Sequence, residues 1–203
     1  MELEIPVLAA LIIGAYLFGS IPFGLVLSKI FFSTDLRTVG SGNIGATNAR
    51  RVGGWPLGLA TLVLDMAKGA IPAIIGLVLF GKNGYMAQAG VCIAALAAFL
   101  GHLFPVYLGC KTGGKGVATA GGCFLVLSPS GVLAALGMFL VAAALSKRVS
   151  VGSLAAAATL PAAVYFAEKI PVFALGALVF SLFIIAAHRE NILRLAKGTE
   201  PRI

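Results

Sequence analysis

IPVLAALIIGAYLFGSIPFGLVL, residues 5–27, runs for 23 residues without a charge. A helix rises about 1.5 Å per residue and needs roughly 20 apolar residues to cross the hydrocarbon core of a bilayer, so this stretch reads as a transmembrane span. The charges ahead of it, Glu2 and Glu4, are acidic, whereas a secretory signal opens on basic residues, so the run is expected to remain in the mature protein. It extends to Ile30, and six more apolar runs follow: Trp55–Phe80, Met86–Leu108, Val117–Leu127, Gly131–Leu145, Val151–Ala167 and Val172–Ala187. The later runs are short. The fourth and fifth are read either as spans or as a re-entrant hairpin around Ser128-Pro129-Ser130. A mean hydropathy of +1.03 with 11% charged residues stands far from the roughly 25% charged of soluble domains. The expected fold is an all-α integral membrane protein, a polytopic bundle of about seven transmembrane helices forming a single domain over 1–203.

Lysine and arginine set the expected orientation. With the N-terminus outside, twelve of the fifteen basic residues fall in inside segments, Lys82 and Lys169 fall outside, and Lys68 lies within the second run. Cytoplasmic segments carry such an excess, so the C-terminus is expected in the cytoplasm. The net charge of +8 then follows from this bias and from attraction to anionic headgroups, and calls for no nucleic-acid partner. Cys92, Cys110 and Cys123 lack metal-ligand spacing and read as free thiols. With two histidines and no carboxylate cluster, no metal site is expected.

The polar residues that interrupt the apolar runs concentrate in three blocks, which this orientation places on the cytoplasmic face. Gly40–Arg51 reads GSGNIGATNARR. Its glycines permit a turn in which successive N–H groups form an anion-binding nest. Ser41, Asn43, Thr47 and Asn48 add neutral donors, and Arg50 and Arg51 add guanidinium groups suited to phosphate. His102–Thr119 reads HLFPVYLGCKTGGKGVAT. It resembles most of a P-loop, but Gly116 stands where the magnesium-binding Ser or Thr belongs, so nucleotide binding is rejected while a glycine-and-lysine phosphate cradle is kept. His102 reads equally as a core histidine and as a substrate contact. His188–Glu200 reads HRENILRLAKGTE. If the last helix continues through it, His188, Asn191 and Arg194 share a face, with Glu200 placed to orient a basic residue. Asp65 and Lys68, three apart inside the second run, read chiefly as a buried structural ion pair.

These stretches, with Asp65-x-x-Lys68-Gly69 and Gly19-SIPF-Gly24, resemble the bacterial acyl-phosphate:glycerol-3-phosphate acyltransferase family known as PlsY. The family's second motif usually reads Phe-Lys-Gly-Gly-Lys-Gly; here it is Cys110-Lys111-Thr112-Gly113-Gly114-Lys115-Gly116. Lys115, inside the intact Gly-Gly-Lys-Gly, therefore carries over more directly than Lys111. The resemblance implies a site open to cytoplasm and inner leaflet of the cell inner membrane. It implies acyl transfer from an acyl phosphate to the 1-hydroxyl of glycerol 3-phosphate, without acyl-CoA, acyl carrier protein, cofactor or metal, by a protein expected to be monomeric among membrane lipids. Ser41, Gly42, Asn43, Asn48, Arg51, Lys111, Lys115, Ser153, Arg194 and Glu200 are the expected substrate and phosphate residues. Ser41, His188 and Asn191 are the expected catalytic ones. His188 is either the general base for the hydroxyl or a phosphate ligand, with a substrate oxygen taking the proton.

A small transporter for a phosphorylated organic anion is the competing class. Transporters also show glycine-rich breaks and intramembrane charges. They often consist of two similar halves, however, and the three blocks here do not repeat one another.

Overall fold

The computed structural model describes residues 5–111 and 113–202. Glu2, Glu4 and Thr112, on which two of the readings above rest, lie outside them. The described residues are helical with short 3-10 turns: α1 Ile5–Gly19, α2 Phe23–Phe32, α3 Ala46–Phe80, α4 Tyr85–Leu103, α5 Val117–Leu127, α6 Pro129–Ser146, α7 Val149–Glu168, α8 Pro171–Ala187 and α9 Arg189–Ala196. Five segments are long and apolar enough to cross a membrane, or six if the bent α8–α9 pair counts as one span. The fifth apolar run is a helix of 18 residues, about 27 Å long and able to cross by itself. The fourth is a helix of 11 residues, which reaches only about 16 Å.

Two compact units divide the chain, with the boundary between Cys123 and Phe124 inside α5. In the first, α1 and α3 both pack on α4, and α2 packs on α3. Small residues bring the backbones close, because lipid-exposed helices gain little from apolar burial and rely on packing. A Cβ on Gly19 would overlap the Ala98 carbonyl, and one on Gly101 would overlap the main chain of α1. In the second unit α6 packs on α7 and α7 on α8. Phe124 and Phe180 meet edge to face there, with ring centroids 5.2 Å apart. Exposed apolar side chains such as Ile13, Ile74, Leu133, Leu140, Phe166 and Leu175 coat both units, as lipid-facing surfaces require.

The first span is not one continuous helix. It breaks at Ser20-Ile21-Pro22, where Pro22 lacks the N–H that would continue the ladder. A break inside the hydrocarbon layer is tolerated only when protein satisfies the freed groups. The Ser20 hydroxyl donates to the Tyr16 carbonyl at 2.8 Å, and Lys68 Nζ donates to the Ile21 carbonyl at 2.9 Å. Lys68 Nζ also lies 3.0 Å from Asp65 Oδ1, with both side chains buried. The Asp65–Lys68 pair therefore joins α3 to the break in the first span.

The second span begins earlier than its apolar run. α3 starts at Ala46 and is interrupted by non-helical Gly53 and Gly54, the latter at φ +66°. Pro56 sits where the helix restarts, a position that suits its missing N–H. Trp55 is exposed, and the Arg50 guanidinium lies 4.6 Å above its ring, an arrangement fitted to the headgroup level.

Candidate functional site

The loop between α2 and α3 carries the first polar block. Gly40 and Gly42 adopt φ +58° and +68°, the left-handed region where a side chain is strained. Asn48 organises the turn. Its Oδ1 accepts from the Ser41 N–H at 3.1 Å, and its Nδ2 donates to the Leu36 and Val39 carbonyls at 3.0 and 3.1 Å. A Cβ on Gly40 would overlap Asn48 Oδ1. Asn48 is buried, and its amide bonds to main chain and shapes the loop. The nest of successive N–H groups is also internally occupied. Ser41 N–H goes to Asn48, Gly42 N–H to the Val39 carbonyl at 3.0 Å and Gly45 N–H to Asn43 Oδ1 at 3.0 Å. Gly42 thus contributes turn geometry, with its own N–H turned to Val39. The exposed polar side chains of the block are Ser41, Thr47 and Arg51.

A carboxylate missed in the sequence lies just upstream. Asp35 takes Arg37 through Nε and Nη2 at 2.9 and 2.6 Å, and Lys29 at 3.2 Å. The hydrogen bonds from Arg37 hold its carboxyl far below the usual range. Asp35 stands as the single acidic residue between the first span and the block, which was the available signal. Among the described residues, neither Arg51 nor Lys111 has a carboxylate partner. Removing the Asn48 amide leaves Ser41 N–H and two carbonyls short of a partner. Asn48→Ala is expected to lower stability by about 2 kcal/mol, read as a fall in the thermal midpoint in detergent, and to weaken binding of a phosphate substrate.

The second block folds against the first. Asn43 Nδ2 donates to the Gly113 carbonyl at 3.4 Å. Gly114 N–H donates to the His102 carbonyl at 3.0 Å. Lys115 follows immediately, half-buried, two residues before α5 begins, and Lys111 is exposed. His102 is buried at 3% exposure, in the core and away from solvent. Cys110 is exposed, with its Sγ 3.6 Å from the Tyr16 hydroxyl.

The third block belongs to the second unit. The last helix does not continue through it: α8 ends at Ala187, and α9 leaves at 57°. His188 is the pivot, capping one helix and opening the next. Its Nδ1 lies 2.8 Å from the Ile184 carbonyl. A carbonyl only accepts, so Nδ1 carries a proton, and when the ring is neutral its lone pair is at Nε2. Despite the bend, Asn191 and Arg194 converge on one carboxylate. Asn191 Nδ2 donates to Glu200 Oε1 at 2.6 Å and Arg194 Nε to Oε2 at 2.7 Å. Arg148 Nε reaches the Glu200 carbonyl at 3.2 Å. Glu190 approaches Arg194 at 3.9 Å. Ser153 is buried, and its hydroxyl donates to the Val149 carbonyl at 3.1 Å.

Burial alone would push the Glu200 carboxyl up. The nearby Ser150 hydroxyl, which stops short of strict hydrogen-bond geometry, acts with Asn191 and Arg194 to outweigh burial and hold the pKa below the usual value. The stabilisation that depends on the charged form is therefore fully present above the ordinary glutamate value of about 4.3. It is lost as the pH falls below that through the folded value. Glu200→Gln places an amide against Arg194, and is expected to cut kcat/KM by about tenfold. Initial rates at neutral pH check this.

These elements define a polytopic membrane protein with glycine-built basic loops and a histidine at a helix junction. A family model described as glycerol-3-phosphate acyltransferase matches residues 9–198. A glycerol-3-phosphate acyltransferase of Geobacter metallireducens is 54% identical over 202 residues, covering 100% of this chain and 98% of the relative. Its counterpart in Syntrophotalea carbinolica is 47% identical over 192 residues, covering 95% of each. Two crystal structures of PlsY (YgiH), an integral membrane glycerol 3-phosphate acyltransferase, superpose closely. Its glycerol 3-phosphate form gives a TM-score of 0.90 at 40% identity, covering 97% of this chain and 96% of that one. Its lysophosphatidic acid form gives 0.88 at 38% identity, covering 97% and 95%. The chain belongs to the glycerol-3-phosphate acyltransferase family, of the PlsY type. That membership sets the transporter alternative aside.

Proposed function

We propose that this protein moves a fatty acyl group from an acyl phosphate to the 1-hydroxyl of glycerol 3-phosphate, releasing lysophosphatidic acid and inorganic phosphate. The observation that carries the reading is the pair of glycine-built loops held together by Asn43 and Gly113, which bring Arg51 and Lys115 as cationic groups for phosphate. Both substrates bear phosphate, and an acyl phosphate is already activated. The protein therefore needs charge neutralisation and positioning more than a covalent nucleophile. The hydroxyl oxygen attacks the acyl carbonyl carbon, the new ester C–O bond forms, and the C–O bond to phosphate breaks with its electron pair leaving on phosphate. His188 Nε2 takes the hydroxyl proton and passes it to water. In the first unit Ser41, Arg51, Lys111 and Lys115 bind phosphate; in the second, Glu200 holds Asn191 and Arg194.

The activity belongs to the whole chain as one transmembrane acyltransferase domain, working as a monomer in the inner membrane. The N-terminus lies outside, and the site faces the cytoplasm. The excess of basic residues in the inside segments supports that orientation. The donor assignment is tested with labelled glycerol 3-phosphate and protein in lipid. Labelled lysophosphatidic acid is expected with palmitoyl phosphate and not with palmitoyl-CoA or palmitoyl acyl carrier protein. Equal yield from a thioester would refute the donor.

A further inference from the structure

His102 has no role in the reaction just described, yet it lies under the loop that presents Lys115. Its imidazole occupies the place a Cβ on Gly114 would take, and the His102 and Leu103 carbonyls block a Cβ on Gly113. The His102 carbonyl accepts the Gly114 N–H at 3.0 Å. Asn43 pins the same turn from the other side through the Gly113 carbonyl. The ring is not kept for a hydrogen bond at Nδ1. That nitrogen is buried, has no hydrogen-bond partner, and lies 3.7 Å from Asp65 Oδ1, beyond hydrogen-bond length. Buried polar atoms left this way need an explanation, and here the contact with Gly114 supplies one.

We propose that His102 is a positioning residue: its buried ring and main-chain carbonyl form the floor on which Gly113-Gly114-Lys115 is seated, and the Asp65–Lys68 pair holds that floor in register with the break in the first span. Lys68 ties Asp65 to the Ile21 carbonyl, and Asp65 faces the His102 ring. The chain of contacts thus runs from the break at Ser20-Ile21-Pro22 to the phosphate loop, all within the first unit. A shape fit of this kind predicts coupling between the two sides of the contact, not independent losses.

The inference rests on the phosphate-binding role given to this loop, and its test separates the two. His102→Ala is expected to raise KM for one phosphate substrate by about tenfold, with kcat changed by less than about threefold. Titrating glycerol 3-phosphate and palmitoyl phosphate separately identifies which one. Gly114→Ala, which drives a methyl into the ring, is expected to raise the same KM at least as much. The double variant, with the methyl seated where the ring was, should be no worse than His102→Ala alone. Multiplied losses of about a hundredfold, or a His102→Ala enzyme with normal KM and merely less folded protein, would overturn the proposal. If His102→Ala does not fold, His102→Gln takes its place in the same cycle. Hydrogen exchange over 113–117 needs no activity at all. It is expected to quicken by about tenfold in the variant, and unchanged exchange would also overturn the proposal, even if acyl transfer itself were disproved.

Discussion

A His188→Ala enzyme is expected to turn over about 10² to 10⁴ times more slowly at saturating concentrations of both substrates, with little change in either KM. The reason lies in the ring's fixed tautomer. Nδ1 is committed to the Ile184 carbonyl, so Nε2 has a lone pair rather than a proton in the neutral ring. The neutral ring accepts a proton from a hydroxyl there, whereas a protonated ring would donate from Nε2 to a phosphate oxygen. The ring also sits at the junction of α8 and α9, buried at 3% exposure, and such a position restricts its motion. Steady-state titration of both substrates reads the effect directly. If His188→Ala raised KM and left saturated turnover intact, the imidazole would be a phosphate ligand and not the base.

Lys68→Met is expected to cost about 3–5 kcal/mol of stability, because it strands the Asp65 carboxylate inside the membrane-embedded core. Lys68 and Asp65 are 1% and 3% exposed, so water does not reach either to replace the lost partner. The substitution also removes the donor to the Ile21 carbonyl at the break in the first span. Loss should appear as a steep fall in thermal midpoint in detergent and in the yield of folded protein. An accompanying Asp65→Leu change removes the stranded charge and is expected to recover most of the loss, because an apolar pair of similar volume often replaces a buried ion pair at little cost. Failure of the double variant to recover would mean that the link to Ile21, rather than the charge, dominates.

Much of the architecture was legible because hydropathy acts on whole segments. The runs at Val117–Leu127 and Val172–Ala187 coincide with α5 and, within one residue, α8. The misreadings fell where polar backbone groups find partners distant in sequence. Pro22 was visible, but nothing local revealed that Lys68 reaches back 47 positions to satisfy the carbonyl beside it. The helical spacing of His188, Asn191 and Arg194 suggested a straight continuation. The chain instead bends at His188, and the last two residues meet through Glu200, which lies beyond α9. Glycine content correctly signalled positive φ at Gly40 and Gly42. Composition does not say which way an N–H points, so the occupation of that turn by Asn48, Val39 and Asn43 was not readable.

Phosphate release by the purified protein in lipid, given palmitoyl phosphate with and without glycerol 3-phosphate, tests acyl transfer most directly. The account predicts release that requires the acceptor and is matched mole for mole by lysophosphatidic acid. Release of equal extent without the acceptor, and without lysophosphatidic acid, would contradict it and identify a hydrolase.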